Sequence, residues 1–215
     1  MLVNLGETDS LVNAYIRELR DIEIQQDRMR FRKNLHRIGN IMAYEISRTL
    51  EWASVETTTQ LGISETSKLK SQPVLATILR AGIPLHEGLL DFFDQAENAF
   101  IAAYRKHDKD GSFTISAEYL TSPDIEGKVL IISDPMLATG ASMIKCLKKI
   151  LLLGKPKAIH IVTAIASKEG IDYVSEKIDC SIWTAAIDEE LTAKSYIVPG
   201  LGDAGDLAFG EKTQE

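Results

Sequence analysis

The sequence predicts an α/β fold: a mostly parallel central sheet flanked by helices, with a projecting β-hairpin arm and a small C-terminal hood. Three observations predict it. Short apolar runs, at Pro73 to Leu79, Ala99 to Tyr104, Val129 to Ile132, Ala158 to Ile165 and Ser181 to Ile187, have the length and composition of buried strands. Segments with apolar residues at helical spacing alternate with them, which implies parallel neighbours joined by right-handed crossovers. No repeat, low-complexity tract or linker interrupts the 215 residues, so a single domain over 1–215 is expected.

Taken in order, Ser10 is a plausible N-cap for a short helix to Arg20, with Leu11, Tyr15 and Leu19 on one side. Arg28 to Leu50 is a longer helix whose stripe is Phe31, Leu35, Ile38, Met42 and Ile46; Arg32, Lys33 and Arg37 lie off it, as on a solvated face. Residues 53–70 mix β-branched and polar residues, as in an exposed hairpin outside the main core. A helix from about Ile83 to Phe93 follows the first buried strand, and Pro84 suits its first turn, where no backbone donor is needed. Beyond Tyr104 the charged stretch RKHDKDG turns the chain back into a strand from Ser112 to Leu120, so a hairpin arm is expected over about 105–120. A further helix over Lys168 to Lys177 precedes the last buried strand.

The stretch Lys128 to Leu153, KVLIISDPMLATGASMIKCLKKILLL, organises the whole. Its opening run is a central strand that stops at Asp134-Pro135, and Ile144, Leu147, Ile150 and Leu151 mark a helix from Ser142 onward. Between them Ala138-Thr139-Gly140-Ala141-Ser142 forms the turn into that helix. A helix N-terminus offers unpaired N–H groups and the positive end of a dipole, so the turn suits a phosphate. Asp134 would repel a bare phosphate but can accept hydrogen bonds from sugar hydroxyls or help position a magnesium ion. Strand, acid and Thr-Gly turn together suit a ribose 5-phosphate; taken alone, the turn is equally an ordinary strand, turn and capped helix.

Bulk properties narrow the field. Hydrophobic residues make up 45% and charged residues 26%, ordinary globular values. The formal charge of -7 and pI near 5.2 argue against a nucleic-acid or membrane partner held by bulk electrostatics. Cys146 and Cys180 lack metal or redox spacing and fit reduced core thiols. The N-terminus lacks a signal-peptide pattern and no stretch is long and apolar enough to span a bilayer, so a soluble, cytoplasmic protein is expected.

Several motifs need discounting. Gly200-Leu201-Gly202-Asp203-Ala204-Gly205 fits GxGxxG, yet it opens no βαβ unit and the chain ends at Glu215, too soon for the acid of a dinucleotide site. Asp108-Lys109-Asp110-Gly111 has no helix leading in, and Glu118 falls a position short for a calcium loop. His36, His86, His107 and His160 are scattered without metal spacing. There is no GxxxxGK[ST]. Arg80 and Arg105 each follow a predicted strand, and a guanidinium matches phosphate geometry, so both are candidates to hold a pyrophosphate.

DPMLATGAS, from Asp134 to Ser142, resembles the phosphoribosyl-pyrophosphate loop of uracil phosphoribosyltransferases, and YIVPGLGDAGD, from Tyr196 to Asp206, resembles their uracil-binding segment. Arg80-Ala81-Gly82 and Tyr104-Arg105 match in the same order, and the likeness runs from about Arg20 to Lys212. The resemblance implies a type I phosphoribosyltransferase-like fold, with a base-binding segment over about 188–212. It implies substrate contacts from Arg80, Arg105, Asp134, Pro135, Met136, Leu137, Ala138, Thr139, Gly140, Ala141, Ser142 and Asp203 to phosphoribosyl pyrophosphate. Uracil would be held by Ile197, Gly202, Asp203 and Ala204. Two carbonyl acceptors and one N–H donor on the base can be complemented by backbone alone.

The implied reaction joins uracil to 5-phospho-alpha-D-ribose 1-diphosphate, giving UMP and diphosphate in pyrimidine salvage. Asp134, Arg105 and Asp203 are its catalytic candidates. Mg2+ would be held mainly through the substrate pyrophosphate and near Asp203. The family resemblance also implies a homodimer or higher homo-oligomer. Three places depart from the family pattern: Ala141 stands where glycine is common, and its methyl would crowd the phosphate if that position needs positive φ, while Ile83-Pro84-Leu85-His86 and the 105–111 turn also differ, so nucleotide activation is not implied. An RNA-binding pyrimidine-operon attenuation regulator on the same fold is the alternative, although no dense Lys/Arg block supports it.

Overall fold

The structure, a computed structural model, describes residues 1–107 and 113–212, and the backbone alone between 103 and 118. In chain order the elements are β1 (Leu2–Asn4), α1 (Leu11–Arg20), α2 (Arg28–Ser47), β2 (Trp52–Thr58), β3 (Ile63–Leu69), β4 (Val74–Leu79) and α3 (Ile83–Phe92). They continue with β5 (Glu97–His107), β6 (Phe113–Thr121), β7 (Val129–Ser133), β8 (Met136–Leu137), α4 (Ala141–Ile150), β9 (Ala158–Ser167) and α5 (Lys168–Lys177). The last are β10 (Ser181–Asp188), β11 (Glu190–Leu191), β12 (Ile197–Val198) and α6 (Ala204–Phe209).

The main sheet runs β1-β10-β9-β7-β4-β5-β6, with β8 set beside β9. Every pairing in it is parallel except β5 with β6. All five residues of β7 are buried, as a strand covered on both faces requires. Alternation decides which helix covers which side chain. Leu75, Ile131, Val162 and Trp183 point into one cluster with the α1, α2 and α3 stripes, including Leu19, Phe31, Leu35, Ile38 and Leu89. Val74, Ala76, Leu130, Ile132 and Ile161 point the other way, against Ile144, Leu147 and Ile150 of α4 and Val174 of α5. The β2–β3 hairpin forms its own two-stranded sheet, largely exposed, as the polar composition of 53–70 predicts.

Four expectations change. The N-terminus supplies an edge strand, β1, paired with β10 through Val3 and Trp183; three residues carry no readable period. Asp134-Pro135 interrupts the central chain without ending it, because β8 resumes beside Ile165 and Ala166 while the Pro135 carbonyl accepts from the N–H groups of both Ala164 and Ile165. The helix after the turn begins at Ala141, one residue before the expected Ser142. Arg32 is not merely solvated: it donates to the Ala208 carbonyl at 2.7 Å and its guanidinium stands 5.9 Å over the Phe209 ring, tying α2 to α6. The arm's antiparallel strands, β5 and β6, form with Arg105 opposite Ile115, while its 108–112 turn lies outside the described residues.

One buried ion pair fixes the C-terminal segment to this frame. Asp188, 6% exposed at the end of β10, accepts two hydrogen bonds from Arg20, at 2.7 and 2.8 Å, and a third from the Gly200 N–H at 3.0 Å. Arg20 in turn donates to the Gly200 carbonyl at 3.1 Å. Removing the carboxylate strands a guanidinium and a backbone donor, so Asp188→Ala is expected to cost about 3–5 kcal/mol of stability, a much larger effect than cutting an exposed pair. Chemical denaturation of the wild type and this variant checks it; a loss under about 1 kcal/mol would mean that the pair does not brace the segment.

Candidate active site

Four loops leave the carboxyl ends of adjacent parallel strands and therefore emerge on one edge of the sheet. The Arg80 loop follows β4, Asp134 follows β7, Ser167 ends β9 and Asp188 ends β10. Thr77 pairs with Ser133 in register, and its hydroxyl donates to the Ser133 carbonyl at 3.2 Å, so Arg80 and Asp134 leave from the same level. The Leu79–Arg80 peptide is cis.

Asp134 is half-buried, and its backbone N–H donates to the Val162 carbonyl at 3.1 Å. Burial pushes its carboxyl up to about 7, opposed by a hydrogen bond from the Met136 N–H. A carboxyl in this condition exchanges its proton near neutrality. Pro135, Met136, Leu137 and Ala138 then lead along β9 to the turn.

Gly140 is the N-cap of α4, with φ of 74°, and has no side chain to cap it, while the Thr139 hydroxyl accepts a long bond of 3.4 Å from the Ala141 N–H. By contrast Ser10, Asp27, Ser167 and Asp203 each cap the helix that they precede. The start of α4 therefore keeps N–H groups for a ligand. Thr139 and Ser142 flank it, and the positive φ falls on Gly140, whereas Ala141 is the first residue of the helix and needs no such freedom. The expected crowding by the Ala141 methyl through positive φ does not arise.

The turn is held from below by residues that sequence reasoning passed over. Ser167 donates its hydroxyl to the Ala138 carbonyl at 2.6 Å and accepts from the Gly170 N–H at 2.9 Å. A Cβ placed on Gly170 would stand 2.1 Å from that same carbonyl oxygen, so only glycine lets α5 approach the turn. The N-cap pattern Ser-x-x-Gly was legible; the partner it serves was not. Ser167 is the register partner of Asp188, and that link joins the turn to the C-terminal segment on one edge.

That segment forms the expected C-terminal hood. After β11 and β12 the backbone passes through Gly200 and Gly202, both at positive φ, into α6. Asp203 caps α6 by accepting from the Asp206 N–H at 3.0 Å, so Ala204 is the first helical residue and Ile197 lies buried at the hood's root. The far end of the hood is held by Arg80, which donates to the Gly210 carbonyl at 3.1 Å and stands 3.6 Å from Asp206. A cavity of about 480 Å³ opens beside the hood, lined by Arg20, Gln25, Arg28, Gly202, Asp203 and Leu207 among others. It shares Gly202 and Asp203 with the expected base site but touches nothing from 134–142. The Arg105 side chain lies outside the described residues.

The three histidines with described side chains take no part: His36 pairs with Asp91, His86 is buried beside Phe100, and His160, lowered to about 4 by burial, accepts from the Trp183 indole, while the His107 side chain lies outside the described residues. Cys146 is a buried free thiol, pushed up to about 12 by burial, as expected for a core residue.

If the turn's geometry matters as this packing implies, Gly170→Ala displaces the Ala138 carbonyl while leaving the hood intact. The expected outcome is at least tenfold weaker binding of a phosphorylated ribose ligand, with base affinity unchanged, by titration calorimetry. Equal affinities in the two proteins would show that the turn tolerates the shift.

Comparisons with known proteins agree with this geometry. The family model for uracil phosphoribosyltransferase matches residues 7–211. A uracil phosphoribosyltransferase from Porphyromonas gingivalis is 53% identical over 213 residues, covering 98% of this chain and 99% of its own. One from Methanothermobacter thermautotrophicus is 40% identical over 182 residues, covering 84% and 83%. A solved structure from Aquifex aeolicus matches with a TM-score of 0.86 at 31% identity over the whole of both chains. A purine phosphoribosyltransferase from Pyrococcus horikoshii matches at a TM-score of 0.50 and 13% identity, covering 74% of this chain and 91% of its own, and shares the type I phosphoribosyltransferase fold. With the turn, the Arg80 loop and the hood gathered on one sheet edge and relatives of this identity over nearly all its length, the chain belongs to the uracil phosphoribosyltransferase family.

Proposed function

We propose that the protein transfers the phosphoribosyl group of 5-phospho-alpha-D-ribose 1-diphosphate to uracil, releasing UMP and diphosphate. The observation that carries this reading is the link from the glycine-led start of α4 through Ser167 and Asp188 to the hood, which gathers the residues proposed for phosphate and for base along one edge. In this reading the 138–142 turn binds the 5-phosphate and Asp134 accepts hydrogen bonds from the ribose hydroxyls. Backbone groups of Ile197, Gly202, Asp203 and Ala204 hold uracil.

The bond from ribose C1 to the diphosphate oxygen breaks, the bond from C1 to uracil N1 forms, and the N1 proton is given up to solvent. Positive charge builds on the sugar ring as negative charge moves to diphosphate, so the chain's task is positioning and electrostatics. Arg80 and Arg105 are the guanidinium groups proposed to take the diphosphate, and Asp203 acts beside it.

Magnesium fits this donor set in one manner. Among the described residues no three His, Cys, Asp or Glu side chains gather around a point, while Asp203 and Asp206 share one turn, so the chain offers a carboxylate or two rather than a cage. A magnesium ion held mainly through substrate phosphates, with Asp203 near it, suits that arrangement. When bound, such an ion neutralises charge developing on the departing diphosphate.

The same reading carries use of free uracil in pyrimidine salvage, a cytoplasmic setting and self-association as a homodimer or larger homo-oligomer. The buried free thiol of Cys146 and the outward Leu61 and Ile63 of the β2–β3 hairpin support the last two. Among the described residues no helix is long and apolar enough to cross a membrane. The attenuation-regulator alternative draws no support from the two relatives described above, each named as a uracil phosphoribosyltransferase.

Radiolabelled uracil assays test the reading directly. Wild-type protein with magnesium and the ribosyl diphosphate is expected to form UMP, and Arg105→Ala to lower kcat/KM by about 10² to 10³. No UMP from the wild type, with tight binding of pyrimidine-operon leader RNA on filters, would favour the regulator. The state of Asp134 gives a second check. Because burial raises its carboxyl to about 7, the hydrogen-bond-accepting carboxylate is lost as pH falls through that value. kcat/KM should rise with pH up to about 7 and then level, and Asp134→Asn should remove that limb. A profile flat from pH 5.5 to 8 would separate Asp134 ionisation from turnover.

A further inference from the structure

A four-charge cluster closes the end of the hood, and one of its members, Lys212, has no part in the roles described above. Lys212 Nζ lies 3.4 Å from Asp203 Oδ2 and 3.9 Å from Asp206 Oδ1. The Arg80 guanidinium approaches the same Asp206 oxygen at 3.6 Å from the side of the β4 loop. Two cations on different segments therefore flank one carboxylate oxygen. That oxygen is buried, yet it makes no hydrogen bond with either cation, since both stand beyond hydrogen-bond length.

A buried carboxylate oxygen without a donor is an expensive arrangement unless something else is gained by it. Here both cations are gathered at the hood, Arg80 by its bond to the Gly210 carbonyl and Lys212 by its contact with Asp203, while neither is hydrogen-bonded to Asp206 Oδ1. Asp203 is also only partly engaged: its Oδ1 is committed to the Asp206 N–H, while Oδ2 has the long contact with Lys212. Lys212 is 43% exposed, and its flexible stem carries a point charge that suits a phosphoryl oxygen. A diphosphate bears more negative charge than one carboxylate and has two phosphoryl groups to offer, one for each cation.

We propose that Lys212 is a further diphosphate-binding residue, which together with Arg80 clasps the leaving diphosphate, and that Asp206 is a positioning residue holding both cations at the hood until the substrate takes them. The inference rests on the reaction proposed above and adds to it a residue from the last described stretch of the chain. It also gives the hood a second duty: besides receiving the base, it brings a cation to the opposite end of the reacting bond.

A merely structural Lys212 predicts little, because an exposed ion pair of this kind adds little to stability. The test is titration calorimetry of magnesium diphosphate into wild-type protein, Lys212→Ala and Lys212→Arg, with melting temperatures and steady-state kinetics on each. Lys212→Ala is expected to bind diphosphate about tenfold more weakly and to raise KM for the ribosyl diphosphate by a similar factor, with KM for uracil and the melting temperature unchanged. Lys212→Arg should recover most of the affinity. Diphosphate binding by the alanine variant within twofold of wild type would overturn the proposal. So would a joint loss of uracil and diphosphate affinity accompanied by a lower melting temperature. If wild type binds diphosphate with this dependence on Lys212 but makes no UMP, the proposed reaction fails and the cation pair stands.

Discussion

Parallel pairing of β7 between β4 and β9 is the constraint from which the site follows. In a parallel sheet every strand ends on the same edge, so the residues just past each strand become neighbours however far apart they lie in the chain. Arg80, Asp134, Ser167 and Asp188 are each such a residue. Their association needs no dedicated loop geometry; it is a consequence of burying β7 on both faces and covering those faces with α1 to α3 on one side and α4 and α5 on the other.

On that edge the protein treats its helix starts unequally. Those of α5 and α6 are closed by a side chain of their own, whereas α3 and α4 begin at glycines, Gly140 alone of the two in the left-handed region and braced underneath by Ser167 and Gly170. Rigid support for the backbone, with its N–H groups left available, is what an anion site requires, since donors that need not reorganise stabilise charge most. Burial of Asp134 beside the turn has a cost in keeping with such a site, because a carboxyl whose proton is lost only near neutrality is held in an environment that does not suit its charge.

The hood is attached by charge rather than by sheet pairing with the core. At one end Asp188 gathers Arg20 and Gly200; at the other Arg80 reaches Gly210 and Asp206, and Arg32 holds the Ala208 carbonyl. The first tie is buried and bidentate, which makes it a fixed hinge post. The second uses a guanidinium that is 43% exposed and a longer contact, so it is the end that can yield.

Most of the fold was legible because burial imposes a period on sequence. The apolar runs of β4, β7, β9 and β10 and the α2 stripe follow from having two covered faces or one, and Lys168–Lys177 was marked by its periodicity alone. The Asp134 to Ser142 and Tyr196 to Asp206 stretches were legible as motifs through their resemblance to segments of the family. What the sequence could not express was any relation between segments distant in the chain. That Ser167 serves Ala138, that Arg20 serves Gly200, that Arg32 leaves its expected solvated face for α6, and that Arg80 and Lys212 share Asp206 all depend on three-dimensional closure. β1 was illegible for a related reason: a three-residue edge strand exists only because β10 offers it an unpaired edge. Local composition thus determined the elements, while the tertiary structure alone decided which charges meet, since a salt bridge leaves no periodic mark on either partner.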